Sequence, residues 1–233
     1  MASGLTAVKA PPATDEVLSD LPGSISVDYR KGHIVYGPAR PSTHLYLVLA
    51  GTLAISQIAE NGDRVLLEII GRGKLFGHAG FVGSRGVSEE AVALQAATVA
   101  VWTIGAIEAT VMDRPRVGVL LLQLFAERTA DLAVRLESFS LDTTERRLGC
   151  TLLRLSEQLG AGEGDSAVKI LPLTHYLLAQ HVGTSREIIT RCMNRFRRLG
   201  YLRYSRQEIV VYPELLAASL ARTSKTRVVA ANL

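Results

Sequence analysis

The sequence predicts an α+β chain: an N-terminal β-roll, one long helix and a C-terminal domain built on a helix-turn-helix with a small β-wing. Three observations carry this. Short strands separated by turn signals run from Ser24 to about Thr103, and helical periodicity replaces them after Pro115. Basic charge then collects at the C-terminal end. Residues 1–140 hold 12 Lys and Arg against 14 Asp and Glu, a net of −2, whereas residues 141–233 hold 14 against 8, a net of +6. Such a basic domain has the electrostatic footprint of a phosphate-backbone binder, although a solvated basic face gives the same tally.

Residues 1–20 read as a loose arm, because Pro11 and Pro12 interrupt a stretch with no apolar core or cleavage site of secretory type. The cytoplasm is therefore the expected location. No apolar run is long enough to cross a bilayer, so no membrane partner is expected. Cys150 and Cys192 fit neither a metal-binding pair nor a disulfide framework and are expected to be reduced. No HExxH, nucleophile elbow, phosphate loop or dinucleotide fingerprint is present, and the His residues form no ligand cluster, so neither an enzyme nor a metal site is expected.

Residues 21–114 form the expected β-roll, a sensory domain. Its strands lie in SISVDY, HIVYG, LYLVLAG, LAISQIA, RVLLEII and TVAVWTI, and Asn61-Gly62 between alternating strands is a hairpin signal. Residues 115–140 form one long helix with Val117, Leu120, Leu121, Leu124, Phe125, Leu132, Leu136 and Phe139 at helical spacing. Roughly 36 Å of helix exceeds what one face of a roll covers, so part of this stripe is expected to meet a second copy of the chain. Residues 141–233 make the last domain. Leu141, Asp142, Thr143 and Thr144 are the hinge, with capping residues for a helix over 145–159, and GAGEGD at 160–165 is a connector.

Residues 173–199 read as two helices joined at Val182-Gly183-Thr184. Thr174 caps the first, and Thr184 or Ser185 the second. Leu177, Leu178 and Val182 on the first, with Ile188, Ile189, Met193 and Phe196 on the second, supply the buried faces. Arg186, Glu187, Thr190, Arg191 and Asn194 are then outward. Arg pairs two donors with guanine O6 and N7, and Glu accepts from cytosine N4, which is the chemistry of a major-groove reader. Thr174, Thr184, Ser185, Arg195 and Arg198 are placed for the phosphate backbone, and YLRYSRQEIVVY reads as a two-stranded wing.

On these residues the chain resembles the CRP/FNR superfamily, the cyclic AMP receptor protein and its relatives. The order of parts agrees, GTSREIITR is similar to the family's G-x-[ST]-R-E-x-x-x-R recognition segment, and Leu141-Asp142 with ERRLGCTLLRLSEQ resembles its hinge and following helix. The resemblance implies a cytoplasmic bacterial transcription regulator: a C2 homodimer through residues 115–140 on double-stranded DNA, reading a palindrome of TGTGA-like half-sites. If an activator, it would also meet RNA polymerase.

The effector is left open. Where cyclic-nucleotide-binding relatives carry GE[LF] and R-[ST]-A motifs, this chain has FGHAGFVGSRGVSEEAV. Gly77 and Gly80 fit, but His78 replaces the ribose-binding Glu, and Ser88-Glu89, or Glu89-Glu90, replaces the phosphate-binding pair. Carboxylates beside a phosphodiester repel it, which argues against cyclic AMP. Asp131 and Leu132 stand where the cyclic AMP receptor presents hydroxyls to adenine, and Arg85 is the cation that would have to move in to take over the phosphate. His78 resembles the iron-ligating His of haem-containing relatives, though Phe76 stands in place of their Cys. An N-terminal Cys cluster is absent, which argues against an iron–sulfur centre. The alternatives are a haem or other small-ligand sensor, a regulator with a self-filled pocket, and a ligand-binding module acting on a protein partner.

Overall fold

Alternation of side chains along each strand decides how the roll closes. The computed structural model describes residues 21, 23–82, 88–162 and 166–221; the arm expected at 1–20 and the candidate Arg85 lie outside the described residues. Strands β1 (Ile25–Tyr29), β2 (Ile34–Tyr36), β3 (His44–Ala50), β4 (Leu53–Ile58), β5 (Arg64–Ile70), β6 (Leu75–Phe76), β7 (Glu89–Ala93) and β8 (Ala97–Thr103) form two antiparallel sheets. Their orders are β1-β8-β3-β6 and β2-β7-β4-β5. In β3, Tyr46 and Val48 point between the sheets toward Leu53, Ile55, Phe76 and Val99. Leu45 and Leu47 point the other way, into a second core with Ala100 and Trp102. A strand buried on both faces reads as a continuous apolar run, as HLYLVLA does.

That second core is covered by helices. A short helix α1 (Ala79–Val82) leads out of β6, and α2 (Ile104–Asp113) follows β8, capped by Thr103, whose hydroxyl accepts from the Ala106 N–H at 3.2 Å. No helix was expected between the roll and Pro115. The long helix α3 (Pro115–Leu141) starts with Pro at its first turn, and its 27 residues span about 40 Å. Val117 and Leu121 are buried in the second core, with Leu120, Leu124 and Phe125 against it. The N-terminal part of the stripe is thus used within the chain, and Leu132, Leu136 and Phe139 remain exposed. A row that shares Leu136 with this stripe, Val119, Leu122 and Leu136, stays at least half exposed, and Ala126, Thr129, Ala133 and Ser140 are exposed at the same heptad spacing.

The hinge is shorter than expected. Leu141 closes α3, Thr144 opens α4 (Thr144–Leu159), and only Asp142 and Thr143 lie between. Thr143 caps α4 through the Arg146 N–H. Asp142 accepts from the Ser138 hydroxyl at 2.7 Å and pairs with Arg146 at 2.9 Å, which fixes the bend between the two helices.

Beyond α4, β9 (Ala161–Gly162), β10 (Val168–Ile170), β11 (Leu202–Tyr204) and β12 (Ile209–Val211) form a sheet ordered β11-β12-β10-β9. The Gly-rich connector thus contributes a strand of its own. Helices α5 (His175–Val182) and α6 (Arg186–Arg198) sit on this frame, with a last helix, α7, over 213–221. Leu148, Leu152, Leu178, Val182, Ile189, Met193, Phe196, Ile209 and Leu216 share one core. Each such side chain, fully buried, contributes about 1.5–3 kcal/mol. Ala54, Leu66 and Ile69 of the roll belong to the same cluster, so the C-terminal domain is docked on β4 and β5. Among the described residues no helix is long and apolar enough to cross a membrane.

Candidate nucleic-acid interface and effector pocket

The turn between α5 and α6 is set by caps at both ends. The Thr174 hydroxyl accepts from the Leu177 N–H at 3.1 Å and starts α5. Gly183 ends it in the left-handed conformation at φ +69, where its N–H and that of Thr184 both reach the Ala179 carbonyl. A Cβ at Gly183 would also lie 2.6 Å from the Phe139 ring, so glycine is required twice over. Ser185 then caps α6 through the Ile188 N–H.

These caps fix which face of α6 is outward. Ile189, Met193 and Phe196 are buried, whereas Arg186, Glu187 and Arg191 are exposed, as is Arg198 at the last turn. Glu187 lies in the first turn, and hydrogen bonds from its own backbone N–H and from Ser185 hold its carboxyl below the usual range. It is therefore an ionised acceptor at neutral pH. Ile188, expected to point inward, is 37% exposed because it lies on the flank of the Ile189–Met193–Phe196 face. Thr190 is half-buried: its hydroxyl donates to the Arg186 carbonyl and lies 2.8 Å from His175 Nδ1. Asn194 is half-buried too and accepts from the Tyr204 hydroxyl of the wing.

The basic residues at the far end of α6 are not equivalent. Arg195 pairs with Glu145 of α4 at 3.1 Å. Arg197 stacks over Tyr204 at 5.5 Å. Arg198 makes no ion pair among the described residues and remains a free cation at the surface.

In the roll, the described residues of the segment read as an effector pocket lie beside an aromatic cluster. Tyr46 and Phe76 stack at 4.9 Å, with Tyr36 beside both. The Tyr36 hydroxyl donates to Glu89, and burial followed by the Glu89 charge pushes its pKa upward. Glu89 and Glu90 are both buried on β7, and Arg64 meets Glu90 at 3.3 Å. Arg128 of α3 enters this region, pairing with Glu68 at 2.9 Å. Burial pushes the Glu68 carboxyl up, against the opposing charge of Arg128.

His78 follows Gly77, whose φ is +81 and where a Cβ would lie 2.5 Å from Tyr46. Its ring lies 6.2 Å from Phe125. Burial and then Arg128 push the imidazole pKa down, so it is neutral at pH 7. His78 Nδ1 and Arg128 Nε are buried without partners. Gly80 packs against Ile104, and Ser88 is half-buried with its carbonyl bonded to the Ile58 N–H. Asp131 and Leu132 are exposed on α3, so the structure does not bring them to the Tyr36–Glu89 cluster.

These residues do not fit a haem. His78 is a single neutral imidazole with its Nδ1 enclosed, Phe76 stands beside it in place of a second ligand, and Phe76 is stacked on Tyr46. They do not fit a cyclic phosphodiester either, because Glu89 and Glu90 put two buried carboxylates in this region, which such a ligand would meet as like charge.

The contact between the roll and the helix-turn-helix was not readable in the sequence. Arg135 of α3 donates to the carbonyls of Leu66 and Leu67 on β5 and of His181 on α5. Arg147 of α4 donates to the Val182 carbonyl at 3.0 Å and the Asp142 carbonyl at 3.0 Å. Both guanidiniums also face the Phe139 ring, at 5.5 and 5.3 Å. Two cations therefore cap the carbonyl end of α5, where the helix dipole is negative. Gln180 adds a bond to the Arg64 carbonyl.

Comparison with known proteins agrees with this arrangement part by part. A cyclic nucleotide-binding domain model matches residues 26–114, and a Crp-like helix-turn-helix domain model matches residues 146–218. A CRP-like cAMP-activated global transcriptional regulator from Mycobacterium tuberculosis is 26% identical over 196 residues, covering 84% of this chain and 88% of that one. The transcriptional regulator SdrP of Thermus thermophilus is 27% identical over 180 residues, 76% of this chain and 85% of that one. A solved CRP/FNR-family regulator from Thermus thermophilus superposes with a TM-score of 0.69 at 24% identity, covering 85% of this chain and 98% of that one. With a nucleotide-binding-type roll, a long helix and a Crp-like helix-turn-helix in that order, the chain belongs to the CRP/FNR superfamily of DNA-binding transcription regulators.

Proposed function

We propose that the protein reads DNA as a C2 homodimer, each protomer laying α6 in the major groove of a TGTGA-like half-site. The face of α6 carries this reading: Arg186, Glu187 and Arg191 are exposed and about one turn apart, on a helix held from behind by Ile189, Met193 and Phe196. Arg186 and Arg191 supply guanine donors and Glu187 a cytosine acceptor. Thr190, its hydroxyl proton engaged by the Arg186 carbonyl, offers its methyl group to the groove. Thr174, Thr184, Ser185 and Arg198 hold the phosphate backbone, and Arg195 joins them only by leaving Glu145.

The exposed row Val119, Leu122 and Leu136 meets its copy across the two-fold axis, which sets the half-sites about 34 Å apart. The roll acts without cyclic AMP. Although the Mycobacterium tuberculosis relative is named as activated by cAMP, here Tyr36, Glu89 and Arg128 already occupy the region and set carboxylate against phosphate. An activating role would make RNA polymerase a further partner.

The test is binding of the purified protein to TGTGA-N6-TCACA and to a scrambled duplex, with and without cyclic AMP. Preference for the palindrome, unchanged by nucleotide, is expected. Dependence on cyclic AMP would overturn the pocket reading, and equal binding to both duplexes would overturn the half-site reading.

A further inference from the structure

Where α3, α4 and α5 meet, a small solvent-open cleft is lined by Arg135, Arg147, Arg154, Cys150 and His181, and no carboxylate lines it. Arg135 and Arg147 spend part of their donors on backbone carbonyls. Arg154 spends none: it makes no hydrogen bond or ion pair among the described residues, although it is half-buried. His181 is 8% exposed and hydrogen-bonded to the Leu66 backbone, and its Nδ1 is buried with no partner. The cleft thus gathers three cations, opposed only by Glu68 acting on Arg135 from outside the lining, next to a histidine whose Nδ1 is enclosed and unused.

Burial and the Arg154 charge both weaken the Arg135 cation, and Arg135 and Arg154 keep His181 neutral. Such crowding is relieved by an anion. A carboxylate or a sulfate meets the guanidiniums but has no hydrogen for His181 Nδ1. A hydrogen phosphate group has both: oxygens for the forked donors and one P–OH for the imidazole.

We propose that this cleft is a binding site for a single hydrogen phosphate group, free or carried by a phosphomonoester. Its position between the long helix and the helix-turn-helix places the ligand on the joint that sets the orientation of the reading helix. The site is separate from the Tyr36–Glu89 region of the roll and does not depend on how α6 reads DNA.

The experiment uses the full chain without DNA. Inorganic phosphate, phenyl phosphate and sulfate are titrated calorimetrically at about pH 5.5, below the second pKa of a phosphomonoester at about 6 so that both phosphates carry a P–OH, and at matched ionic strength, into the wild type and Arg154→Gln. Phosphate is expected to bind about tenfold more tightly than sulfate and to lose about tenfold or more in the variant. In chloride buffer Arg154→Gln, relieved of a like charge, is expected to melt no lower than the wild type, and phosphate is expected to raise the melting point of the wild type alone. Phenyl phosphate binding more tightly than phosphate assigns the site to a phosphomonoester; weaker binding assigns it to the free ion. Equal affinity for sulfate, equal affinity in Arg154→Gln, or no binding to the wild type overturns the proposal.

Discussion

The Arg135 guanidinium donates to the carbonyl oxygen of His181 at 2.7 Å, so one side chain of the long helix holds the last turn of the first helix of the helix-turn-helix. The same group reaches Leu66 and Leu67 on β5. The β-roll, the long helix and the helix-turn-helix therefore converge on one cation.

Arg135→Ala should remove these bonds together and leave carbonyls without a donor. Hydrogen bonds to a charged group contribute about 1.5–3 kcal/mol in buried settings, and partial exposure of Arg135 reduces the expected loss to about 2 kcal/mol in total. Arg135→Lys, a point charge rather than a fork, should recover less than half of it. Urea unfolding measures the loss, and amide exchange at β5 and α5 should accelerate in both variants. Unchanged exchange at β5 would show that Arg135 does not tie the domains.

His181 makes stability depend on pH in a direction that can be worked out. Burial first, then Arg135 and Arg154, lower its pKa to about 3 in the folded chain, against about 6.5 when unfolded. As pH falls, the unfolded state takes up the proton first, so the native state loses stability below about pH 6.5, by at most about 1.4 kcal/mol per pH unit. His181→Gln should remove about 2 kcal/mol of the difference between roughly pH 7 and pH 5. Urea midpoints at the two pH values measure this, and parallel slopes for the two proteins would refute it.

What the sequence disclosed was whatever rests on local pattern. Strand spacing, the change of period at Pro115 and the caps Thr174 and Ser185 are written in neighbouring residues, and the structure has them in place. The helix Ile104–Asp113 was hidden because IGAIEATVMD buries only Ile107 and Thr110 and shows no long apolar stripe. Strand β7 was hidden because it opens with Glu89 and Glu90, which read as surface or pocket residues until Tyr36 and Arg64, distant in sequence, are seen to meet them. Arg135 was beyond reach for a related reason. Its partners are backbone carbonyls, which carry no residue identity, and they lie on other elements. The same limit applies to the apolar stripe of α3, since periodicity shows that a helix has an apolar side without saying which part of it a neighbour in the same chain buries.

The exposed row on α3 gives a prediction about assembly. Leu136 is 68% exposed in the single chain and Leu122 is 69% exposed, so Leu136→Glu removes no contact within the protomer. Its own stability should shift by no more than about 0.5 kcal/mol, whereas a buried charge at a two-fold axis should dissociate the dimer. Sedimentation should report a monomer for the variant. A variant that stays dimeric at wild-type concentrations would place the interface elsewhere.

DNA binding separates the roles of two arginines at opposite ends of α6. Arg186 is exposed at the capped first turn, beside the ionised Glu187, and is the residue proposed to read guanine. Arg186→Ala should cost about 1–3 kcal/mol on the specific duplex and little on random DNA, relaxing one base position. Arg198 is exposed at the last turn with no ion pair among the described residues, a position suited to a phosphate. Its replacement by Ala should weaken every duplex alike and reduce the slope of log K against log salt by about 1. Because Arg195 is already paired with Glu145, Arg195→Ala should change that slope less than Arg198→Ala does. Salt titrations of the three variants on specific and scrambled duplexes measure all of this at once. Equal losses on both duplexes for Arg186→Ala would place its contact on the backbone, and a steeper effect for Arg195 than for Arg198 would mean that the Glu145 pair opens when DNA binds.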